Sequence, residues 1–439
     1  MLLEFTVGNY LSFKDPVTLS MVAAKVKSED SDVDQNNTFP IEKNVSLLTS
    51  AAVYGANASG KSNLVKALRF MQWLVLNSSK ESLAGSSIKT IPFRLDERCM
   101  SDPSHFEIVF SFDDVVYRYG FEVNSKRVIA EWCFYSPKGK ESRLFYRHED
   151  EITISRNFKG GAKLKELTRP NALFLSVATQ FNNEIANKLS EWFDRLIIIR
   201  GLSNSIINRG TPRMLLEVSQ FQQLVKNLIQ KADMGIDNLI AEKVTVSSDS
   251  DTRFPDDMPQ EVRDYFLKHA RYDQDTIQVH TLHKVQTENG TVKEVLFDID
   301  EESDGTQKFF YLTGPIIDSL LQQRVLVIDE IEASMHTLLT RYLVNLYNSN
   351  ESNSKHAQLV FTSHDTNLLD KKHFRRDQIW FVEKDNIGAS HLYSLAELKI
   401  RNDATFENDY LRGKYGGVPV LGKLQELWNA PQEDDCVEA

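Results

Sequence analysis

Gly55-Ala56-Asn57-Ala58-Ser59-Gly60-Lys61-Ser62 matches GxxxxGK[ST] at every fixed position. The apolar stretch Ala51-Ala52-Val53-Tyr54 before it reads as a short buried strand, and residues 61–76 after it read as a helix. Strand, glycine-rich loop and helix therefore follow in the order a phosphate-binding loop needs. Glycines let consecutive backbone N–H groups curl inward around a phosphate, and the helix N-terminus adds partial positive charge. Lys61 is placed to pair with the β- and γ-phosphates and the Ser62 hydroxyl to ligate Mg²⁺. Gly55, Asn57, Ser59, Gly60, Lys61, Ser62 and the next residue, Asn63, are the expected contacts to a nucleoside triphosphate.

Three later segments add to this loop. Val325-Leu326-Val327-Ile328-Asp329-Glu330 reads as a buried parallel strand ending in two carboxylates, a costly placement unless a cation offsets them. Asp329 suits a direct or outer-shell contact to Mg²⁺, and Glu330 suits the polarising of an attacking water. Glu302-Ser303-Asp304-Gly305-Thr306-Gln307 opens the helical run 308–321, so Ser303 and Gly305 can offer a hydroxyl and free N–H groups to a phosphate. Leu359-Val360-Phe361-Thr362-Ser363-His364-Asp365 is a strand ending in a histidine 34 residues beyond Glu330, where an imidazole can sense a γ-phosphate or the water beside it.

Composition sets the limits. With 439 residues, 41% of them hydrophobic and 12 Pro, the chain reads as an ordinary globular protein too long for one core. The start lacks a secretory pattern and nothing approaches 18 consecutive apolar residues, so the expectation is a cytoplasmic chain without a membrane span. Cys99, Cys133 and Cys436 are far apart and read as inert thiols. A net charge of −11 argues against non-specific nucleic-acid binding by the whole surface. It leaves open a local groove, and Lys371-Lys372-His373-Phe374-Arg375-Arg376, the densest basic cluster, reads as a solvated face.

Along the chain, residues 2–24 read as two strands around a turn and 25–44 as a polar loop. Residues 1–87 form the N-terminal part of the nucleotide domain, and the alternating aromatic segments of 88–170 an antiparallel β lobe. Residues 171–297 read as a helical or mixed insertion, with a strand at 172–176, helices over 180–235, a mobile loop around 247–259 and strands from 277. The strand–helix alternation of 298–400 returns to a parallel α/β sheet, so the two halves of the chain should build one domain. Residues 401–439 read as a tail.

These four elements, in this order, resemble the ABC/SMC-like P-loop ATPase head shared with overcoming-lysogenization-defect nucleases. The resemblance covers roughly 1–80 and 298–400. It implies an α/β head with an antiparallel β lobe and an inserted helical region, which binds ATP with Mg²⁺ and hydrolyses it through Glu330 and His364. It also implies a homodimer or higher oligomer, in which Ser303 and Gly305 of one subunit meet the γ-phosphate held by residues 55–62 of the other. More narrowly, Asn9-Tyr10-x-Ser12-Phe13, Tyr54 through Asn63, Asn171-Ala172-Leu173-Phe174-Leu175-Ser176, Glu302 through Thr306 and Tyr410-Leu411-Arg412-Gly413-Lys414-Tyr415-Gly416-Gly417-Val418-Pro419 resemble the RloA/AbiL-type ATPases. That likeness implies an anti-phage abortive-infection role beside a separate Toprim-type effector nuclease, with a phage-derived trigger. The other reading is an SMC/RecF-like repair ATPase that binds DNA directly.

Two departures stand out. A glutamine loop is not obvious, with Gln180 a weak candidate. The segment Ile331-Glu332-Ala333-Ser334-Met335-His336 differs from the Leu-Asp of SMC heads, although Ser334 and His336 could face a partner subunit. No long heptad run supports a coiled-coil arm. The 39 residues after 400 are too few for a Toprim domain, so Glu407 and Asp409 read as surface charges.

Overall fold

The protein is described by a computed structural model covering residues 1–42, 44–80, 85–137, 139–200, 204–245, 275–400 and 405–419. The first part of the chain holds β1 (Leu2–Gly8), β2 (Val17–Ser20), α1 (Ser31–Asn36), β3 (Thr38–Glu42), β4 (Val45–Leu48), β5 (Ser50–Tyr54), α2 (Lys61–Asn77) and α3 (Glu97–Ser101). There follow β6 (Ser104–Phe112), β7 (Val115–Val123), β8 (Val128–Ser136), β9 (Ser142–His148), β10 (Glu151–Ile154), α4 (Phe174–Gln180) and α5 (Glu184–Arg195). Next come β11 (Ile197–Ile199), α6 (Asn204–Glu217), α7 (Ser219–Lys231), β12 (Asn238–Thr245), β13 (Asp275–Gln286) and β14 (Val292–Asp298). The chain continues with α8 (Asp304–Gln322), β15 (Val325–Ile328), α9 (Thr337–Tyr347), β16 (Gln358–Thr362), β17 (Ile379–Lys384), β18 (Ser390–Ser394) and α10 (Phe406–Leu411).

One six-stranded sheet runs β11-β15-β16-β5-β17-β18, parallel throughout except for the antiparallel edge β18. β5 thus lies between two strands that follow it by 300 residues or more, with Val360 opposite Ala51 and Trp380 opposite Val53. β11 (III) and β15 (VLVI) are wholly apolar, and β5, β15 and β16 are buried at every position, because both faces of the sheet are covered. Period-2 alternation sorts them: Val53, Val327, Val360 and Val382 face α2 and the antiparallel sheet, while Ala52, Tyr54, Leu326, Ile328, Phe361 and Phe381 face α8 and α9. The architecture is the α/β head with an antiparallel layer that the sequence predicts.

The antiparallel sheet runs β10-β9-β8-β7-β6-β1-β2. The first two strands of the chain therefore share a layer with residues 104–154, so the 87/88 boundary read from sequence crosses a single sheet. A third sheet, β12-β13-β14, leads directly into α8. Pro315 lies inside α8 and cannot donate to the Tyr311 carbonyl. Thr211 of α6 does so instead, its Oγ1 at 2.6 Å, and a side chain on Gly314 would strike that threonine.

Three sequence expectations need correction. Residues 25–44 are not one polar loop: Asp30 caps α1 by accepting from Asp32 N, and Phe39 of β3 is buried. Residues 172–176 are not a strand but the approach to, and first turn of, α4. Its first N–H groups, those of Phe174 and Leu175, are taken by the buried Glu131 carboxylate at 2.6 and 2.9 Å. The cluster 371–376 is only partly solvated: Arg375 is 5% exposed and donates to Asp34, Asp377 and the Ala24 and Val26 carbonyls. The loop expected around 247–259 lies outside the described residues, as does Cys436, while Cys99 and Cys133 are buried free thiols. Among the described residues no helix is long and apolar enough to cross a membrane.

Candidate functional site

The C-terminal ends of β5, β15 and β16 lie side by side, where ligands of open α/β sheets bind. The glycine-rich loop leaves β5 at Gly55 and enters α2 at Lys61. Gly60 adopts φ +119, and a side chain there would strike the Ser12 and Ser390 hydroxyls, so both backbone and space call for glycine. The back of the loop is fastened by Ser390, whose Oγ donates to Ser59 O at 2.5 Å and whose N–H donates to Ser12 O at 2.7 Å. Asn63 spends its amide on Ser12 Oγ at 2.8 Å, which is support for the loop from behind. Asn9, nearby, accepts from Phe93 N and donates to the Cys99 and Asp102 carbonyls. The Asn-Tyr-x-Ser-Phe segment thereby acquires a structural role beside the loop.

Lys61 is 4% exposed, and its Nζ donates to Gly55 O at 2.7 Å and Ala56 O at 3.1 Å. Burial pushes its pKa down to about 8, against the pull of Glu332, Asp329 and Glu330. Asn57 and Ala58 at the crest of the loop are exposed. Ser59 Oγ is buried without a hydrogen-bond partner among the described residues.

Asp329, 8% exposed, places one oxygen, Oδ1, 3.1 Å from Ser62 Oγ and 2.7 Å from Thr362 Oγ1. Thr362 Oγ1 in turn accepts from Glu330 N at 2.8 Å. Glu330 holds a left-handed backbone, φ +54, a costly conformation for a residue with a Cβ and one that gathers at functional sites. Its carbonyl accepts from Lys308 Nζ at 2.9 Å, and burial pushes Lys308 down to about 8 as well. His364 is exposed, and burial of its ring, then the Lys61 charge, hold its pKa below the ordinary histidine value.

The structure thus brings residues 55–62, Asp329, Glu330 and His364 to one place. Among the described residues no hydrogen bond joins Ser303 or Gly305 to the loop. Ser303 is exposed and caps α8, its Oγ accepting from Thr306 N at 3.3 Å. Gly305 backs onto the Ser334 carbonyl, where a side chain would not fit. Ser334 and His336 are both exposed, and His336 Nδ1 accepts from Leu338 N at the start of α9. Gln180 is the exposed last residue of α4.

The sequence reading passed over Glu332 and Lys308. Glu332 Oε1 accepts from His364 N at 2.5 Å, and Oε2 is buried with no hydrogen-bond partner among the described residues. Its charge is the strongest carboxylate influence on both Lys61 and Lys308. Spacing offered one signal, since Glu332 follows the acid pair by two residues at a strand end.

Hard divalent cations take oxygen donors, and Mg²⁺ keeps to one or two carboxylates plus phosphates and water. Ser62 Oγ and Asp329 Oδ1, 3.1 Å apart, fit that demand. Among the described residues no group of three or more His, Cys, Asp or Glu is arranged for a metal.

No curated protein matches the chain. Among solved structures it is similar to one described as the crystal structure of the SmcHead bound to the C-winged helix domain of ScpA. There the TM-score is 0.39 and the identity 12%, over 90% of this chain and 97% of that one. The family profile described as "AAA domain, putative AbiEii toxin, Type IV TA system" matches residues 50–370, a span that includes the loop, Ser303, the acid pair and His364. The chain belongs to this AAA family of P-loop proteins.

Proposed function

We propose that the chain binds and hydrolyses ATP as an SMC-like head that works in pairs. Its cellular role is that of sensor and scaffold in an anti-phage system, controlling a separate Toprim-type nuclease. The observation that carries the catalytic reading is the shared oxygen of Asp329, which joins the phosphate loop (Ser62) to the switch strand (Thr362) within hydrogen-bond distance.

In this reading the loop N–H groups and Lys61 hold the β- and γ-phosphates, with Lys61 released from the Gly55 and Ala56 carbonyls as it does so. Mg²⁺, when bound by Ser62 and Asp329, would neutralise charge on the phosphate oxygens. Glu330 orients a water and accepts its proton as the water oxygen attacks the γ-phosphorus. The bond from that phosphorus to the bridging oxygen breaks, giving ADP and phosphate. His364, at the end of the switch strand, can donate a hydrogen bond to the γ-phosphate. Support for pairing comes from Ser303: exposed at the N-terminus of a 19-residue helix, it has the setting of a phosphate contact made to another chain. The family description names a toxin of a toxin–antitoxin system, which supports a defence setting.

Glu330→Gln tests the core of this. The expected kcat falls about 10²–10³-fold, as for loss of a general base, and the variant accumulates as an ATP-dependent dimer by light scattering. Wild-type turnover in that variant would sink the catalytic assignment, and an ATP-insensitive mass would sink the pairing. Affinity capture from phage-infected cells addresses the partner, with a co-purifying nuclease expected.

A further inference from the structure

Residues 405–419 play no part in the mechanism above, yet they touch two of its working pieces. At one end, Glu407 Oε1 accepts from Thr366 Oγ1 at 3.2 Å, two residues beyond His364. At the other, the turn after α10 reaches the first glycine of the phosphate loop. A Cβ built on Gly417 would lie 3.5 Å from Gly55 Cα and 3.7 Å from Val382 O. Gly416 and Gly417 hold φ +71 and +66, and a side chain on Gly416 would strike Glu383 and the Tyr393 hydroxyl. Gly416 is thus held to glycine by conformation and by approach, and Gly417 by conformation, with Gly55 at ordinary packing distance.

The turn is also anchored. Tyr393 OH donates to Tyr415 O at 2.7 Å, and Tyr410 OH donates to Gly417 O at 3.0 Å. The Tyr410 ring stacks on Phe381 with centroids 5.3 Å apart and meets Tyr54, the residue before Gly55, edge-on at 6.1 Å. β5 and β16 are joined as far as the Ser363 N to Val53 O bond at 3.0 Å. Beyond it, no backbone hydrogen bond joins residues 55–60 to 364–366 among the described residues.

We infer that residues 406–417 form a strap that positions the phosphate loop and the His364 segment relative to each other, with Gly417 and Glu407 as its two positioning contacts. The inference rests on the ATPase reading and deepens it. One end of the strap bears on the element that holds the phosphates, the other on the element that senses the γ-phosphate. The two ends therefore affect different kinetic constants.

The test is steady-state ATPase kinetics on the full chain. Gly417→Ala should raise KM for ATP about tenfold with kcat little changed, because a side chain at φ +66 is relieved only by shifting the turn that packs on Gly55. Glu407→Ala should lower kcat about three- to tenfold with KM unchanged, the scale of losing one typical side-chain hydrogen bond. Glu407→Gln, which keeps an acceptor for Thr366, should restore turnover. Thr366→Val should reproduce the loss, and the Glu407→Ala/Thr366→Val double variant should be no worse than either alone. A purely architectural segment would lower stability and the active fraction without this split or this rescue. Should Gly417→Ala fail to fold, the Glu407–Thr366 cycle decides by itself. Wild-type constants in Glu407→Ala and Thr366→Val, with an active parent enzyme, overturn the strap. A parent chain that neither binds nor hydrolyses ATP overturns the underlying reading instead.

Discussion

Glu131 and Glu332 are both carboxylates taken out of water, and the fold treats them in opposite ways. Glu131, on β8, is fully buried and every demand on it is met. It accepts from Tyr119 OH at 3.0 Å and from Phe174 N and Leu175 N, and it sits 3.9 Å from Arg147. Arg147 spends its remaining donors on the carbonyls of Glu149, Arg169, Pro170 and Ala172. Burial pushes the Glu131 carboxyl up while Arg147 and the three donors pull it back. Glu332 has one oxygen bonded to His364 N and the other without a partner, beside two lysines pushed down to about 8. A saturated buried charge fixes geometry, whereas an open one leaves bonding capacity for something that arrives later.

If that contrast is right, the largest effect of any change at Glu131 is on stability. Glu131→Ala strands the Arg147 cation and three donors, so it should cost about 3–5 kcal/mol, read as an earlier first transition in urea. ATP affinity of the folded fraction should not move. A variant that kept its stability but lost ATP binding would break the comparison outright.

Glu332 predicts the reverse. Removing an incompletely bonded carboxylate relieves a burial cost, so Glu332→Ala should leave the urea midpoint unchanged or slightly raised. Loss of the acceptor for His364 N should lower kcat about tenfold or more. Glu332→Gln retains an acceptor oxygen and should recover most of that turnover. Equal losses in both variants would assign the effect to charge and not to the placement of His364.

How much of this the sequence disclosed follows from how local the cause is. The loop 55–62 and the strands ending at Asp329 and His364 carry their reasons within a few residues, as period, spacing and chemistry. The placement of β5 among later strands follows from the strand–helix alternation near both. Residues 172–176 were illegible for the opposite reason. A short apolar run fits strand and helix alike, and the carboxylate that starts α4 lies 43 residues upstream. Residues 25–44 depend in the same way on Arg375, 341 residues from Asp34. Glu407 and Asp409, read as surface charges, bond to Thr366 and Lys414 respectively. Glu332 and Gly417 gain meaning only through a backbone N–H and a Cα far away in sequence.

The smallest effect separates the open region from the closed one by proton count. Lys61 in the free protein titrates near 8, below its ordinary value of 10.5, because burial disfavours the cation. Its charged form thus costs stability below about pH 8, and the cost is relieved as pH rises from there toward the unfolded value. A triphosphate reverses the balance, since it bonds the cation and raises the pKa in the complex. Binding above pH 8 must then take up a proton, and ATP affinity should fall by up to about tenfold per pH unit from that point. Calorimetry in buffers of different ionisation enthalpy measures the uptake directly. Lys308 also titrates near 8, but it faces the Glu330 carbonyl and not the loop, so Lys308→Met should keep the slope and Lys61→Met should abolish it. Glu332→Gln, by withdrawing the strongest carboxylate influence on Lys61, should move the break below pH 8. An affinity flat from pH 7 to 10 would mean that Lys61 stays charged in the free site, and that the carbonyls of Gly55 and Ala56 already saturate it as fully as Glu131 is saturated.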